Sequence, residues 1–161
     1  MKDNFFLRKV IDEDALTISK LLADKYVNQF LSSSFRKKHS SIFIKLLFKK
    51  KNNVWYVFGN NKKILGAVIL DSIDYLDKIA NIWYFNSYRN QLRKNYTYRA
   101  ISEIIKKNEL KLNCLTAWTL DKNYKSIKLL TKLDFKKIGE IENTFYFKKK
   151  YQNRVLFKRK F

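Results

Sequence analysis

Apolar residues recur at strand or helix spacing along the whole chain, and no stretch has the composition of a linker. The chain has no proline and three glycines, so few positions interrupt a regular element. Its length of 161 residues favours a single domain over residues 1–161. Alternating or continuous apolar runs predict strands over residues 5–10, 54–58, 64–70, 79–85, 112–119, 135–147 and 154–161.

Four stretches with helical spacing lie between these strands, which gives the order β α α β β β α β α β β. The first follows acidic residues at 12–14, and the third covers residues 97–107. Asp121 or Asn123 is a candidate cap of the fourth. The second has Ser32, Ser33 and Ser34 as candidate caps, and its apolar positions include Ile42, Phe43, Leu46 and Leu47.

Gly59, Asn60 and Asn61 separate the second and third predicted strands. Residues of these types favour a tight hairpin turn, so we expect the two strands to pair antiparallel. The strand over residues 79–85 then continues an antiparallel meander.

The charge is strongly basic and has two interpretations. Lysine and arginine number 35 against 14 aspartate and glutamate, a formal net charge of +21. Such a charge favours an anionic partner, which could be nucleic acid, a nucleotide cofactor or an acidic carrier protein. Most of the basic residues are lysine, and asparagine, isoleucine, phenylalanine and tyrosine are also abundant. This profile equally fits the codon drift of a coding sequence poor in G and C.

Several classes of protein are excluded by what the sequence lacks. No apolar run approaches the roughly 18 residues of a membrane span, and the first residues lack the apolar stretch of a secretory signal, so we expect a cytoplasmic protein. One cysteine, Cys114, rules out an internal disulfide, and with the single histidine, His39, it cannot form a Cys/His zinc cage. We expect no metal site, and we expect Cys114 to be a buried core thiol.

The most specific segment is NYKSIKLLTKLDF over residues 123–135. An asparagine, a small residue three positions later and an aliphatic stretch ending in Lys-Leu-x-Phe make it resemble the second motif of the GCN5-related N-acetyltransferase (GNAT) family. The motif glycine is Asp134 here. Ser126, where many relatives have alanine, and the aromatic-rich segment over residues 144–147 are similar to the branch that acetylates the N-termini of ribosomal proteins.

The resemblance covers nearly the whole chain and implies an α/β (α+β) fold. This would be one GNAT-like domain with a mixed, mostly antiparallel sheet of about seven strands flanked by about four helices. It implies acetyl transfer from acetyl-CoA to a primary amine, by a monomer or homodimer. The acceptor pocket would come from the first two helices and the last hairpin, where no constellation identifies the acceptor.

The family's pyrophosphate loop, usually Gln/Arg-x-x-Gly-x-Gly/Ala, falls on residues 93–98, where Tyr96 and Tyr98 replace both glycines. The motif works because backbone N–H groups at a helix N-terminus face the diphosphate. Tyrosine keeps the N–H, so the loop can hold phosphates if its dihedral angles stay in ordinary regions. Positive charge would come from Arg93, Lys94 and Arg99. The resemblance implies cofactor contacts from Arg93, Lys94, Asn95, Tyr96, Thr97 and Tyr98.

For the chemical step, the resemblance places a backbone N–H near Trp83, Tyr84 and Phe85 against the thioester carbonyl, so Tyr84 and Phe85 are cofactor-site candidates. The family's tyrosine proton donor corresponds to Leu130, which cannot donate. Ser126 is then the candidate donor, and Asn123 resembles the group that binds the pantetheine arm. Alternatively, Ser126 is a small packing residue and Asn123 a plain helix cap.

A general base is not identified by the sequence. Glu140 and Glu142 are two residues apart on one predicted strand and are expected to border the cleft between the central strands. Glu103 lies on a helix beside Lys106 and Lys107 and is expected to be solvated.

Replacement of both glycines by tyrosine also allows an alternative, a GNAT-fold protein whose catalytic site has decayed and whose residues bind another polyanionic partner. Aromatic and cationic side chains interleave at residues 88–99, with Tyr96 and Tyr98 among them, as a platform for single-stranded nucleic acid would require. A basic face would also steer encounter with an acyl carrier protein.

Overall fold

The computed structural model describes residues 4–31, 39–87, 95–147 and 149–161. Within these ranges the chain forms seven strands and five helices, in the predicted order with one short helix added. The strands are β1 (Phe5–Lys9), β2 (Val54–Asn60), β3 (Lys63–Asp74), β4 (Ile79–Asn86), β5 (Cys114–Leu120), β6 (Lys136–Phe147) and β7 (Lys150–Lys160). The helices are α1 (Asp14–Ala23), α2 (Lys25–Asn28), α3 (Ser41–Phe48), α4 (Tyr96–Lys107) and α5 (Tyr124–Lys132).

All seven strands belong to one sheet, in the order β1-β2-β3-β4-β5-β7-β6. Neighbouring strands are antiparallel except for β4 and β5, which are parallel. This confirms the predicted mixed, mostly antiparallel sheet. The parallel pair needs a crossover connection, which α4 provides.

Helices cover both faces of the sheet. Successive strand residues point to opposite faces, so Trp55 and Val57 of β2 pack in a core with α1, α2 and α3. Tyr56 and Phe58 pack in a second core with α4 and α5. The two faces are called below the α1–α3 face and the α4–α5 face.

The β2–β3 hairpin turns two residues later than predicted. Gly59 and Asn60 belong to β2, and the turn residues are Asn61 and Lys62, with φ of 48° and 65°. Two consecutive positive φ values suit the right-handed twist of the flanking strands. Gly59 is instead required for close approach, because a Cβ there would lie 1.9 Å from the Lys63 carbonyl oxygen.

The helical region before β2 differs from the prediction in three ways. The short helix α2, capped by Asp24 side-chain bonds, was not expected. The cap of α3 is Ser40, whose hydroxyl accepts from the Phe43 N–H, whereas Ser32, Ser33 and Ser34 lie outside the described residues. Ile44 and Leu47 are buried, but the predicted apolar positions Ile42 and Leu46 are exposed. No described helix is both long and apolar enough to cross a membrane.

Asp14 joins the end of β1 to the first turn of α1. Its side chain is buried and accepts hydrogen bonds from both terminal nitrogens of Arg8, at 2.6 and 2.9 Å, and from the Ile11 N–H at 2.9 Å. Burial alone would raise the pKa of Asp14, but the hydrogen bonds from Arg8 and Ile11 outweigh it, so this pKa lies below its usual value.

We predict that Asp14→Asn lowers the free energy of unfolding by about 1–2 kcal/mol at neutral pH, since it removes a charge-assisted pair that is partly screened at Arg8. Because the pKa of Asp14 is lower in the folded than in the unfolded protein, its ionised carboxylate stabilises the folded state fully at pH values above the unfolded pKa of about 4. This stabilisation is lost as the pH falls through the lower pKa of the folded state. The difference between wild type and variant in urea denaturation should therefore shrink at acidic pH. Asp12→Asn, which removes an exposed carboxylate 4.0 Å from Lys49, is the control and should cost less. Equal costs for the two variants would contradict this account.

Candidate active site

The ladder between β4 and β5 is short. It contains the pairs Ile79–Cys114, Ala80–Leu115 and Asn81–Thr116, after which the two strands part. A cavity of about 510 Å³ occupies the opening. It is lined on one side by the start of α4 and by α5, and on the other by Tyr26, Val27, Phe30 and Leu31. The cavity therefore passes through the sheet from the α4–α5 face to the α1–α3 face.

The start of α4 lies at the α4–α5 end of this cavity. Asn95 has φ 44° and ψ 30°, the left-handed conformation that asparagine tolerates better than most residues. Tyr96 and Tyr98 are helical and have ordinary negative φ. The positive φ is therefore carried by Asn95, and the two tyrosines need no glycine-like backbone.

Two side chains fasten this first turn to the sheet. The Tyr96 ring is 8% exposed, stacks on Phe5 with centroids 5.7 Å apart, and has a hydroxyl that accepts a hydrogen bond from the Asn60 amide. The Thr97 hydroxyl accepts from the Asn86 amide at 2.7 Å. Because the Tyr96 ring packs into the core, it does not extend over the backbone N–H groups of this turn, which is the space that a glycine would leave to a ligand.

The nucleic-acid platform predicted around Tyr96 and Tyr98 is wrong for the Tyr96 ring, which is buried and cannot stack on a base. Tyr98 is half-buried, with the Lys132 ammonium 4.5 Å from its ring centroid. The Arg99 guanidinium, expected to supply charge to the loop, lies 4.2 Å from the centroid of the Phe5 ring. Its contact with Phe5 gives Arg99 a packing role beside Tyr96.

A hydroxyl pair joins β4 to α5 inside the cavity. The Tyr84 and Ser126 oxygens are 2.6 Å apart, and burial raises the pKa of Tyr84 to about 12, against a smaller lowering by the hydrogen bond to Ser126. The Asn123 side chain accepts from the Ser126 N–H at 3.3 Å and so caps α5. Leu130 is buried. Ser126 is thus more than a small packing residue, because its hydroxyl has a fixed partner.

The structure brings eight of the ten predicted site residues around this one cavity. They are Tyr84, Phe85, Asn95, Tyr96, Thr97, Tyr98, Asn123 and Ser126. The other two, Arg93 and Lys94, lie outside the described residues. The Phe85 side chain packs on the α1–α3 face with Trp83, away from Tyr84.

The expectation that Glu140 and Glu142 border the central cleft is wrong. Both lie on β6, the edge strand, which β7 separates from β5. Glu140 is hydrogen-bonded to Lys137 and Asn153, each at 2.8 Å, and these bonds lower its pKa. Asp71 is the one acidic residue among the described residues that line the cavity. Its Oδ1 accepts a hydrogen bond from the Asn81 amide at 2.9 Å.

Sequence reasoning missed the side-chain contacts of Tyr84 and Asp71. Tyr84 was a candidate only through its backbone and lies 42 positions from Ser126, and Asp71 lies just beyond the predicted strand over residues 64–70. Cys114 is buried at the start of β5, as expected. The described residues contain no cluster of three or more His, Cys, Asp or Glu that could hold a metal ion.

Comparison with known proteins agrees with this architecture. Residues 4–136 match the family model described as "Acetyltransferase (GNAT) domain". No curated protein matches the sequence.

Several solved structures share the fold. The ribosomal-protein-S5-alanine acetyltransferase from Vibrio fischeri has a TM-score of 0.82 at 20% identity, over 99% of this chain and 94% of that one. The spermidine N-acetyltransferase from Vibrio cholerae, in complex with CoA and spermine, has a TM-score of 0.86 at 16% identity, over 98% and 95%. At these identities the likeness shows the fold alone.

We predict that Tyr96 stabilises the folded protein through the burial of its ring and not through its position at the start of a helix. Tyr96 and Tyr124 are the first residues of α4 and α5, but Tyr124 is 74% exposed. Tyr96→Gly should lower the free energy of unfolding by about 3–5 kcal/mol, because it removes a buried ring. Tyr124→Gly should cost about 1 kcal/mol, the price of glycine in a helix. Urea denaturation measures both, and similar costs would contradict the packing role of Tyr96.

Proposed function

Because this chain belongs to the GNAT acetyltransferase family, we propose that it transfers an acetyl group from acetyl-CoA to a primary amine. The observation that carries the proposal is the cavity through the parted β4 and β5 strands, which is lined by a helix N-terminus on one face of the sheet and by Tyr26, Phe30 and Leu31 on the other. Two reactants can meet in such a passage from opposite faces of the sheet.

The start of α4 fits the diphosphate of coenzyme A. The first helical hydrogen bond runs from the Arg99 N–H to the Asn95 carbonyl, so the N–H groups of Thr97 and Tyr98 have no acceptor within the helix. The helix dipole favours negative charge at the same place. Tyr96 and Tyr98 have ordinary φ, so neither of these two positions requires a glycine. Arg93 and Lys94 are proposed to add charge there.

In the reaction, the acceptor nitrogen forms a C–N bond with the acetyl carbon, the C–S bond breaks, and the sulfur takes up a proton while the amine loses one. A backbone N–H in residues 83–85, on the side of β4 that has left the β5 ladder, is proposed to donate to the thioester carbonyl. Asn123, beside Ser126 at the start of α5, is proposed to bind the pantetheine arm.

Ser126 is proposed to donate the proton that the departing sulfur needs. Its Oγ lies 2.6 Å from the Tyr84 hydroxyl, which we assign as the group that donates to Ser126 and fixes its orientation. With a pKa of about 12, Tyr84 stays protonated at neutral and moderately alkaline pH. This pair would take the place of the tyrosine that Leu130 replaces.

We expect acetyl-CoA to bind and stabilise the protein. At millimolar concentration it should raise the melting temperature and give a saturable heat by calorimetry. Coenzyme A should compete, and ATP, a matched nucleotide polyanion, should do so weakly. Failure of acetyl-CoA to produce either effect would overturn the proposal. It would favour a reassigned anion site that serves nucleic acid or an acyl carrier protein.

We predict that Ser126→Ala lowers turnover by about a hundredfold while changing acetyl-CoA affinity by less than about threefold. Tyr84→Phe should act in the same direction through the orientation of Ser126. Thr131→Ala, on an exposed position of α5, removes a hydroxyl outside the cavity and is the control. In wild type, kcat/KM should rise with pH as the acceptor amine loses its proton. It should show no decrease at any pH up to about 10, because Tyr84 stays protonated there. Unchanged turnover in Ser126→Ala would remove Ser126 from the mechanism.

A further inference from the structure

The part of the cavity on the α1–α3 face, called the chamber below, is lined by side chains that the proposed acetyl-CoA site does not use. Trp83 belongs to the core on that face, and Asn81 is two positions away on the same strand. Trp118 alternates with Ala117, which packs on the opposite face, and so it also points into this chamber. Tyr26, Phe30 and Leu31 close the other side.

One carboxylate lies in this chamber. Asp71 is two residues from Ile69 of the α1–α3 core and is paired across the ladder with Asn81. The Asn81 amide donates to Oδ1 at 2.9 Å, which fixes the carboxylate and leaves acceptor capacity on Oδ2. Asp71 is the one acidic residue among the described lining residues. The lysine of the lining, Lys125, belongs to α5 and lies at the other end of the cavity.

The aromatic walls are held in place from behind. Trp83 packs edge-on against Trp55, with centroids 5.5 Å apart, and against Phe85 at 6.0 Å. Trp118 is covered by the Arg154 guanidinium at 4.4 Å and by the Phe145 ring at 6.2 Å. Preorganised aromatic side chains bind apolar groups at low entropic cost and also attract a nearby ammonium.

The charge of the protein selects among cations. At a formal net charge of +21, the long-range field opposes the approach of a positive ligand, and the cost grows with the number of charges on that ligand. A single carboxylate can compensate one ammonium. A polyamine would leave its other ammonium groups against aromatic walls and in the field of a basic protein.

From these observations we infer that the chamber is the acceptor site for a primary amine with one positive charge joined to an aromatic or large apolar group. Asp71 accepts a hydrogen bond from the ammonium or amine nitrogen, and Trp83 and Trp118 contact the apolar group. This inference rests on the proposed function and narrows its acceptor class. The same chemistry occurs in a free arylalkyl amine and at the N-terminus of a peptide that begins with phenylalanine.

Calorimetric titration, with and without coenzyme A, tests this with three probes: 2-phenylethylamine, a short peptide beginning with phenylalanine, and spermidine. We expect 2-phenylethylamine or the peptide to bind wild-type protein at least about tenfold more tightly than spermidine, and whichever of the two binds identifies the source. Asp71→Asn should weaken that binding about tenfold, whereas Asp77→Asn, the same change at an exposed turn, should leave it unchanged. Quenching of tryptophan fluorescence by the bound aromatic group is a second readout.

Tighter binding of spermidine, or Asp71-independent binding of the aromatic amine, would overturn the inference, and the wild-type comparison decides even if Asp71→Asn does not fold. Binding of acetyl-CoA without binding of either aromatic probe would overturn the inference and leave the proposed function standing. Asp71-dependent amine binding without acetyl-CoA binding would overturn the proposed function and support the assignment of the chamber.

Discussion

The ladder between β4 and β5 holds three residue pairs, and the arrangement of the site depends on its ending there. If the strands continued to pair, the sheet would close and the two helical layers would be separated by hydrogen-bonded backbone. Because they part after Asn81 and Thr116, side chains of both layers line one passage. The parting also leaves one side of β4 without a ladder partner along residues 82–86, which line the cavity. Because β4 and β5 are parallel, a crossover must connect the end of β4 to the start of β5, and α4 is part of that connection. The start of α4 therefore lies beside the opening.

Apolar periodicity predicted most element positions and their order along the chain, because it is a local property, whereas the sheet type was an implication of the family resemblance. The sequence placed the β2–β3 turn wrongly, because Gly59 is needed for close approach to Lys63 rather than for a positive φ, and no local pattern separates these two uses. The loop at α4 shows the same limit. Replacement of both motif glycines by tyrosine suggested a damaged site, yet the unusual dihedral angles belong to Asn95, and the Tyr96 ring fills core volume beside Phe5.

The candidate site was predictable where residues are neighbours in sequence and not where they are distant. Asn123 and Ser126 are one helical turn apart, so their cap could be anticipated. The Tyr84 partner of Ser126 and the Asn81 partner of Asp71 depend on strand register and on the helix that packs against the sheet. Glu140 illustrates the opposite error, since a carboxylate on a predicted strand was assigned to the cleft before the position of that strand in the sheet was known. Its place on the edge strand follows from topology, which periodicity does not contain.

The basic charge acts differently at the two ends of the cavity. At the start of α4 it adds to the helix dipole and favours a polyanion such as coenzyme A. At the chamber on the other face it would oppose the approach of the proposed acceptor amine. A basic protein that acetylates a cation would need a local acid to offset its own field, and Asp71, fixed by Asn81 and lining the same cavity as Trp83 and Trp118, is placed to do so. One carboxylate balances one positive charge, so the field that would assist binding of the proposed cofactor would also limit the charge of the proposed acceptor. The remaining affinity would come from burial of the ligand's apolar group against the aromatic walls, which does not depend on the electrostatic field.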